Sequence, residues 1–446
     1  MRFTPRVQHE PVKDFAVSDD PAVQAQLDRL GALSLPQGRF GLETIRELLK
    51  RLGDPQRSLR PTFHVAGTNG KGSTSAFLRA MLEAEGLAVH AATKPHLVRY
   101  NERIRIAGTL ISDELLARLL GEVLDIGEDL GPSFFEVTTA ATFLAFARVP
   151  ADACVIEVGL GGRFDATNVL DSPAACGVAT LGIDHEAFLL RPEEGTPADP
   201  FARIAFEKAS IARPGRPLVT QAYPAPVEAE IARTAKTQGA RLIMRNRDWW
   251  AEAGDTIRYR DALGALDLPL PSLAGAHQAD NAALAVAMLR HQDQVAISPE
   301  AMAQGIGAAR WPARLQLLDD GPLTALVPGR KIWLDGGHNP DAGAAIARHF
   351  AAGLPPHLII GMLDNKDPGA IAAPLRGRLA SLTVVPVPGH ASHEAKDFAS
   401  YSDLALHSFA DVREALHALP PQGDVLIAGS LYLAGEVLRL NHQLPD

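Results

Sequence analysis

The chain has 446 residues with 43 Lys+Arg against 52 Asp+Glu, a net charge of −9, and so lacks the basic excess expected of a nucleic-acid binder. Apolar residues make up 46% and charged residues 21%, globular values, and the length exceeds what one core usually organises, so two unequal domains are expected. Met1 to Asp20 is mixed polar with Pro5 and Pro11, and nowhere do about eighteen apolar residues run together, which predicts a cytoplasmic protein with no membrane partner.

Strands alternate with helices along most of the chain, the pattern of a parallel sheet covered on both faces. β-rich runs predict strands at 61–66, 87–93, 153–158, 174–181 and 217–220, and apolar residues at three- and four-residue spacing predict helices at 73–85, 112–126 and 137–147. Cys154 and Cys176 fall inside two of these strands, where a small buried hydrophobe is a better reading than a disulfide or a ligand. Residues 255–270 read as a hairpin-like excursion. After a helix near 299–306 comes Trp311-Pro312-Ala313-Arg314, a proline-stiffened boundary that divides the chain into 1–310 and 311–446. A second βα series follows, with strands at 331–334, 357–362, 382–387 and 424–428 and helices at 341–352 and 428–440.

In open parallel sheets, ligands gather beyond the carboxyl ends of the strands. The first strand runs into Gly67-Thr68-Asn69-Gly70-Lys71-Gly72-Ser73. Its glycines let backbone N–H groups turn toward an anion, the following helix points its positive end there, and Lys71 adds a full charge, so the segment reads as a nucleotide-phosphate cradle. Gly72 separates the lysine from the hydroxyl residue, unlike the usual G-x-x-x-x-G-K-[ST]. Other strand ends carry Thr93-Lys94-Pro95-His96-Leu97, Glu157 to Arg163, Asp184-His185, Asp335 to Pro340, Asp364 to Asp367 and Gly429-Ser430. Glu157 closes an apolar run, where an unpaired carboxylate would cost several kcal/mol, so it needs a cation, a metal or a donor. A hard carboxylate near phosphates suggests Mg²⁺. His185 reads as a metal ligand, a phosphate contact or a satisfied rim histidine.

The G-T-N-G-K-G-S loop resembles the Mur-ligase superfamily, and the chain is similar within it to the bifunctional dihydrofolate synthase/folylpolyglutamate synthase family, from about Gly38 to Gly435. The family's E-V-G-L-G-G-R-x-D-A-T-N matches Glu157 to Asn168, its D-H matches Asp184-His185, and its H-Q-x-x-N-A matches His277 to Ala282. The resemblance implies a larger P-loop-like ATPase domain on a parallel sheet and a smaller Rossmann-like C-terminal domain that carries glutamate-ligase function. It also implies ATP-dependent addition of L-glutamate to the carboxylate of dihydropteroate or reduced folates. In such a reaction the carboxylate takes the γ-phosphoryl group, and the glutamate amine then displaces phosphate from the acyl phosphate.

By the same resemblance, Lys71, His185, Lys208 and Arg314 are expected to be catalytic, and Glu157, His185 and a carbamylated Lys208 to hold magnesium. ATP contacts are expected from Gly67, Thr68, Asn69, Gly70, Lys71, Gly72, Ser73, Asn281, Arg314, Asp335 and His338. Substrate contacts are expected from Phe40, Gly41, Leu42, Phe134, Phe135, Glu136, Phe164, Asp165, Ala166 and Ser430, with Phe135 able to stack on a flat ring and Phe134 packing inward. An unmodified helix-surface lysine is the other reading of Lys208. The segment between His185 and Lys208 is longer than its family counterpart, and alanine replaces the glycine of the family's W-P-G-R hinge.

Lys94 is the clearest departure, since the family places there a serine that binds the first magnesium. Its ammonium could face the triphosphate and replace part of a metal charge, or turn to solvent while Thr93, Ser73 or water completes the shell, or mark altered activity. A monomer is expected. A Mur-type ligase for another carboxylate, or an ATPase without ligase chemistry, would share the phosphate loop.

Overall fold

The computed structural model describes residues 17–33, 41–59 and 61–446. Phe40, one of the expected substrate contacts, lies outside them.

Eight strands form the larger sheet: β1 (Thr62–Ala66), β2 (Val89–Ala92), β3 (Ile104–Ile106), β4 (Thr109–Leu110), β5 (Ala153–Glu157), β6 (Ala175–Val178), β7 (Pro217–Thr220) and β8 (Arg241–Met244), in the order β4-β3-β2-β5-β1-β6-β7-β8. The six from β2 to β8 are parallel, and β3 and β4 add an antiparallel edge. Strands β1, β5 and β6 are buried along their whole length, which explains their mainly apolar sequences. Helices cover both faces. On one side Phe77, Met81, Leu284 and Met288 meet the sheet, and on the other Leu116, Leu120, Phe143 and Ile156 form one cluster while Ile204, Ile211, Leu218 and Ile231 form another.

Where the sequence suggested one hairpin, there are three antiparallel strands: β9 (Trp249–Ala253), β10 (Ile257–Asp261) and β11 (Gly264–Leu268). In β9, Trp249 and Ala251 are buried while Glu252 and Ala253 are exposed, and Trp249 stacks on Tyr259 at 5.9 Å. Strands β8 and β9 both went unread in the sequence, being only four and five residues long. The short edge strands β3 and β4 were likewise too brief to give a periodic signal.

The smaller sheet contains β12 (Gln316–Leu317), β13 (Ile332–Asp335), β14 (His357–Ile360), β15 (Ser381–Val384), β16 (Leu406–Ser408) and β17 (Val425–Ala428), ordered β12-β13-β17-β14-β15-β16 and parallel except for β12. It has its own core, built from residues such as Ile332, Ile359, Ile427 and Leu438. Leu97 and Val98, from the loop after β2, pack against that core and join the two halves. The chain passes from one sheet to the other through Trp311 to Leu315, where Ala313 (φ 54°) and Leu315 (φ 44°) adopt left-handed backbone. For such side chains that conformation costs roughly 1–2 kcal/mol each. Asp335 holds the bend, because one of its oxygens accepts from the Leu315 N–H at 2.8 Å and the other from the Gly337 N–H at 2.7 Å.

Candidate active site

β1 is the centre of the larger sheet: Val65 pairs with Glu157 of β5 and Ala66 with Val178 of β6. Its carboxyl end is therefore flanked by the ends of β5 and β6, at the point where the strand order turns outward. The phosphate loop occupies this place. The Thr68 and Asn69 N–H groups donate to the Thr180 carbonyl at 2.8 and 3.2 Å, and the Thr68 hydroxyl donates to the Gly182 carbonyl at 2.8 Å. The helix Lys71–Ala84 begins two residues earlier than its periodicity suggested, with Gly70 (φ 82°) as its N-cap. A side chain at Gly70 would strike the Asn281 Oδ1, so this turn needs glycine for both its backbone angle and its packing.

Gly72 has a different reason to be glycine. A Cβ there would lie 2.6 Å from the Trp311 ring, so the interdomain linker rests on the first turn of the phosphate-loop helix. The linker contact accounts for the unusual spacing between Lys71 and Ser73. Ser73 is buried behind this turn.

The Lys71 ammonium folds over the loop and donates to the Gly67 and Thr68 carbonyls at 2.9 and 3.2 Å. Burial lowers its pKa, with Glu157 and Asp184 opposing. Glu157 is buried in turn, and burial raises its pKa against the pull of Lys71 and of the Lys94 N–H, which donates to Oε2 at 3.2 Å. The carboxylate demanded by sequence logic thus sits in the field of the phosphate-loop lysine.

One cleft is lined by Gly67, Thr68, Lys71, Gly159, Leu160, Gly161, Asp184, His185 and Lys208. His185 lies at its rim with left-handed backbone (φ 53°) and 45% of its side chain exposed. Crowding by the cleft walls pushes its pKa down to about 4, Asp184 opposing and Lys366, Lys71 and Lys208 reinforcing, so the ring is neutral at pH 7 and keeps a lone pair for a ligand. Lys208 is buried at the end of the helix Pro200–Ala209, which Asp199 caps. Burial, reinforced by Lys71, pushes its pKa down to about 7. An amine in that state is largely free base just above neutrality, unlike an exposed surface lysine.

Among the described residues no cluster of three or more His, Cys, Asp or Glu could hold a metal ion with protein groups alone. Glu157, His185 and a modified Lys208 nonetheless suit a hard divalent cation that takes one or two protein oxygens or nitrogens and completes its shell with phosphate oxygens and water.

Lys94 is half-buried, and its side chain runs past Gly159: a Cβ on that glycine would lie 3.1 Å from Lys94 Cδ, 3.5 Å from its Nζ and 3.3 Å from Asp165 Oδ2. Burial raises the pKa of Asp165, but Lys94, the Thr167 hydroxyl and backbone N–H groups outweigh it and hold the carboxyl below its usual range. Asp165 Oδ2 accepts from the Gly159 and Leu160 N–H groups, both at 2.9 Å, and Oδ1 from Thr167 N–H at 3.0 Å. Asp165 therefore organises the glycine-rich turn, and Lys94 is a charge partner of that turn and of Glu157.

The helix Phe134–Arg148 starts with a capping box in which the Ser133 N–H and hydroxyl both donate to Glu136 at 2.8 Å. Phe134 packs inward, edge-on to Tyr100 at 6.0 Å, and Phe135 is 39% exposed. Phe164 lies under the Arg163 guanidinium at 4.1 Å, Ala166 is buried, and Gly41-Leu42 open the helix Glu43–Arg51 with Leu42 in the core.

From the smaller domain, Arg314 donates to the Ala313 carbonyl at 2.9 Å, and its charge reaches Lys71 and Glu157. Ser430 is buried as the N-cap of the helix Leu431–Leu440, and Asn281, on the larger domain's helix His277–Arg290, is buried and donates to Gln278 at 3.0 Å. His338 Nε2 stands 3.7 Å from Asp184, and Lys366 Nζ is 2.8 Å from Asp184 Oδ1. Asn339 donates to Asn69 of the phosphate loop at 3.0 Å. Sequence reasoning placed Lys366 and Asn339 at strand ends but gave neither a partner, because each partner lies about 180 or 270 residues away.

The fold and cleft define an ATP-dependent ligase of two α/β domains, with a phosphate cradle on one and cations from the other closing over it. The chain is 33% identical to the folylpolyglutamate synthase of Lacticaseibacillus casei over 422 residues, 88% of this chain and 92% of that protein. The bifunctional folylpolyglutamate synthase/dihydrofolate synthase from Yersinia pestis superposes with a TM-score of 0.82 at 30% identity, covering 94% of this chain and 98% of that one. A second bifunctional synthase structure, with Mn, AMPPNP and L-glutamate bound, gives a TM-score of 0.80 at 30% identity and covers 94% and 98%. No protein-family model matches the chain. The chain belongs to the dihydrofolate synthase/folylpolyglutamate synthase family, ATP-dependent acid–amino-acid ligases that join glutamate to a pteroate or folate carboxylate.

Proposed function

We propose that this cleft joins L-glutamate to dihydropteroate, to reduced folates or to both, using ATP with Mg²⁺, and that the boundary between the working domains falls at 310/311. The observation that carries the reading is the convergence of Lys71, Glu157, Asp184, His185 and Lys208 on the carboxyl end of β1.

Lys71 and the N–H groups at the start of the helix Lys71–Ala84 bind the β- and γ-phosphates, Lys71 exchanging its two loop carbonyls for phosphate oxygens. Arg314 adds a charge from the other domain. Phosphoryl transfer needs mainly positioning and neutralisation, which these groups supply. Phe135 offers an exposed ring for a pterin, and the Phe164 to Ala166 turn would face the acceptor. Asp335 fixes the linker that brings Arg314 over the nucleotide, and His338 and Ser430 stand on the side from which glutamate would arrive. The metal supplies Lewis-acid neutralisation of the phosphates. Glu157 and neutral His185 would hold it, joined by Lys208 as a carbamate, formed when its free amine adds to carbon dioxide and releases a proton to solvent. Closure excludes water from the acyl phosphate until the amine attacks.

Carbon-13 bicarbonate should yield a carbamate NMR signal that Lys208→Arg abolishes; identical spectra would leave Lys208 an unmodified buried lysine. ADP formation should require both a pteroate-type carboxylate and glutamate, and comparing dihydropteroate with tetrahydrofolate as acceptor identifies the preferred one. ADP release that ignores both would assign the cleft to a simple ATPase. We further take the protein to be a cytoplasmic monomer: both cysteines are buried free thiols, and one chain supplies both walls of the cleft. Light scattering tests the mass.

A further inference from the structure

The geometry points to Lys366 as a positioning residue that clasps the two domains through Asp184 and thereby sets His185. The proposal rests on the ligase reading of the cleft, in that closure over His185 matters for turnover. Asp184 follows β6 in the larger domain, and Lys366 lies in the loop after β14 in the smaller one. Their side chains meet at 2.8 Å, Lys366 21% and Asp184 15% exposed, so the ion pair is sheltered from screening far more than a surface pair.

The same Asp184 oxygen that receives Lys366 also accepts the His185 N–H at 2.8 Å. That bond fixes a histidine whose left-handed backbone is unfavourable for any non-glycine side chain. The other Asp184 oxygen faces His338 Nε2 at 3.7 Å and His185 Nε2 at 3.9 Å. A carboxylate held from two sides by the smaller domain can hold the histidine backbone in turn. Withdrawing Lys366 frees Asp184 to rotate and lets His185 relax toward an ordinary conformation.

Lys366 is itself well placed for this task. Its carbonyl accepts from His393 Nε2 at 2.7 Å, and the His393 N–H donates to Met362 O at 2.9 Å, so the loop that carries it is braced against its neighbour. The Asn339–Asn69 bond crosses the same gap at the phosphate loop. Closure is thus registered at two points: one on the nucleotide cradle and one on the rim histidine.

The test uses the full chain with spin labels at Lys236→Cys and Lys396→Cys, exposed positions on the two domains, since native Cys154 and Cys176 are buried. Pulsed dipolar spectroscopy on the nucleotide-free protein should give one compact distance distribution. Lys366→Met should broaden it and lower kcat about tenfold or more with the KM for ATP little changed, because the residue acts on geometry rather than on nucleotide binding. Lys366→Arg should restore both, which a general loss of packing would not allow. An unchanged distribution in folded Lys366→Met overturns the clasp, and a broadened one with undiminished kcat overturns its hold on His185. The distance readout needs no turnover, so it stands or falls separately from the ligase reading.

Discussion

The floor of the cleft and its rim are built on opposite principles. The floor is steric: Gly70 makes room for Asn281 and Gly72 for Trp311, and the Thr68 and Asn69 N–H groups are held by Thr180. The rim is electrostatic: burial and neighbouring charges together move the proton affinities of Asp184, His185 and Lys208 away from ordinary values. Asp184 shows this most, since His338, His185 and Lys366 outweigh its burial and hold it far below the usual carboxylate range. A steric floor keeps its shape with or without ligand. A rim of charges drawn from two domains keeps its shape only while the domains are together, and that dependence makes it suited to sensing closure.

The difference can be broken first at the point where floor and rim meet. Lys71→Ala removes a charge and no core contact, so ligation should fall about a hundredfold or more while the melting temperature holds. Near-normal turnover would remove the phosphate loop from the chemistry. Glu157→Gln keeps volume and most hydrogen-bonding capacity but discards the anion, and should raise the divalent-metal requirement markedly. Wild-type metal dependence would make Glu157 structural. A purely steric prediction falls on Gly72→Ala. Helix propensity alone predicts a gain of about 0.5–1 kcal/mol, but the Trp311 ring 2.6 Å from the new Cβ predicts a loss of about 1–3 kcal/mol from overpacking. Denaturant melts decide the sign. The smallest effect is expected at Lys94, where Lys94→Ala should shift the metal titration a few-fold and Lys94→Ser less, because serine restores a possible ligand. Superimposable curves for all three proteins would show that Lys94 serves only the Asp165 turn.

The floor was legible in the sequence because steric demands leave a local signature: a buried strand, then glycines at fixed spacing, then one lysine. Glu157 was legible for a related reason, as a carboxylate at the end of an apolar run must have a partner. The rim was legible only as separate strand ends. Nothing local in Asp364 to Asp367 says that Lys366 reaches Asp184, or that Asp335 braces the linker at Leu315. The fold class followed from alternating strands and helices, while β3, β4, β8, β9, β12 and β16 escaped because strands of two to five residues, most of them at or near a sheet edge, carry too few residues to show a period. The role of Lys94 stayed open for want of a neighbour in sequence; Asp165, 71 residues away, supplies it in space.

On the proposed reading, ATP activates the acceptor carboxylate before glutamate attacks. Supplying dihydropteroate with oxygen-18 in its carboxylate, together with ATP and L-glutamate, tests that claim directly through the mass of the phosphate released. Activation through an acyl phosphate predicts one labelled oxygen in each phosphate formed alongside the amide. Unlabelled phosphate released at the same rate as product would mean that water, not the carboxylate, takes the phosphoryl group, and would contradict the account.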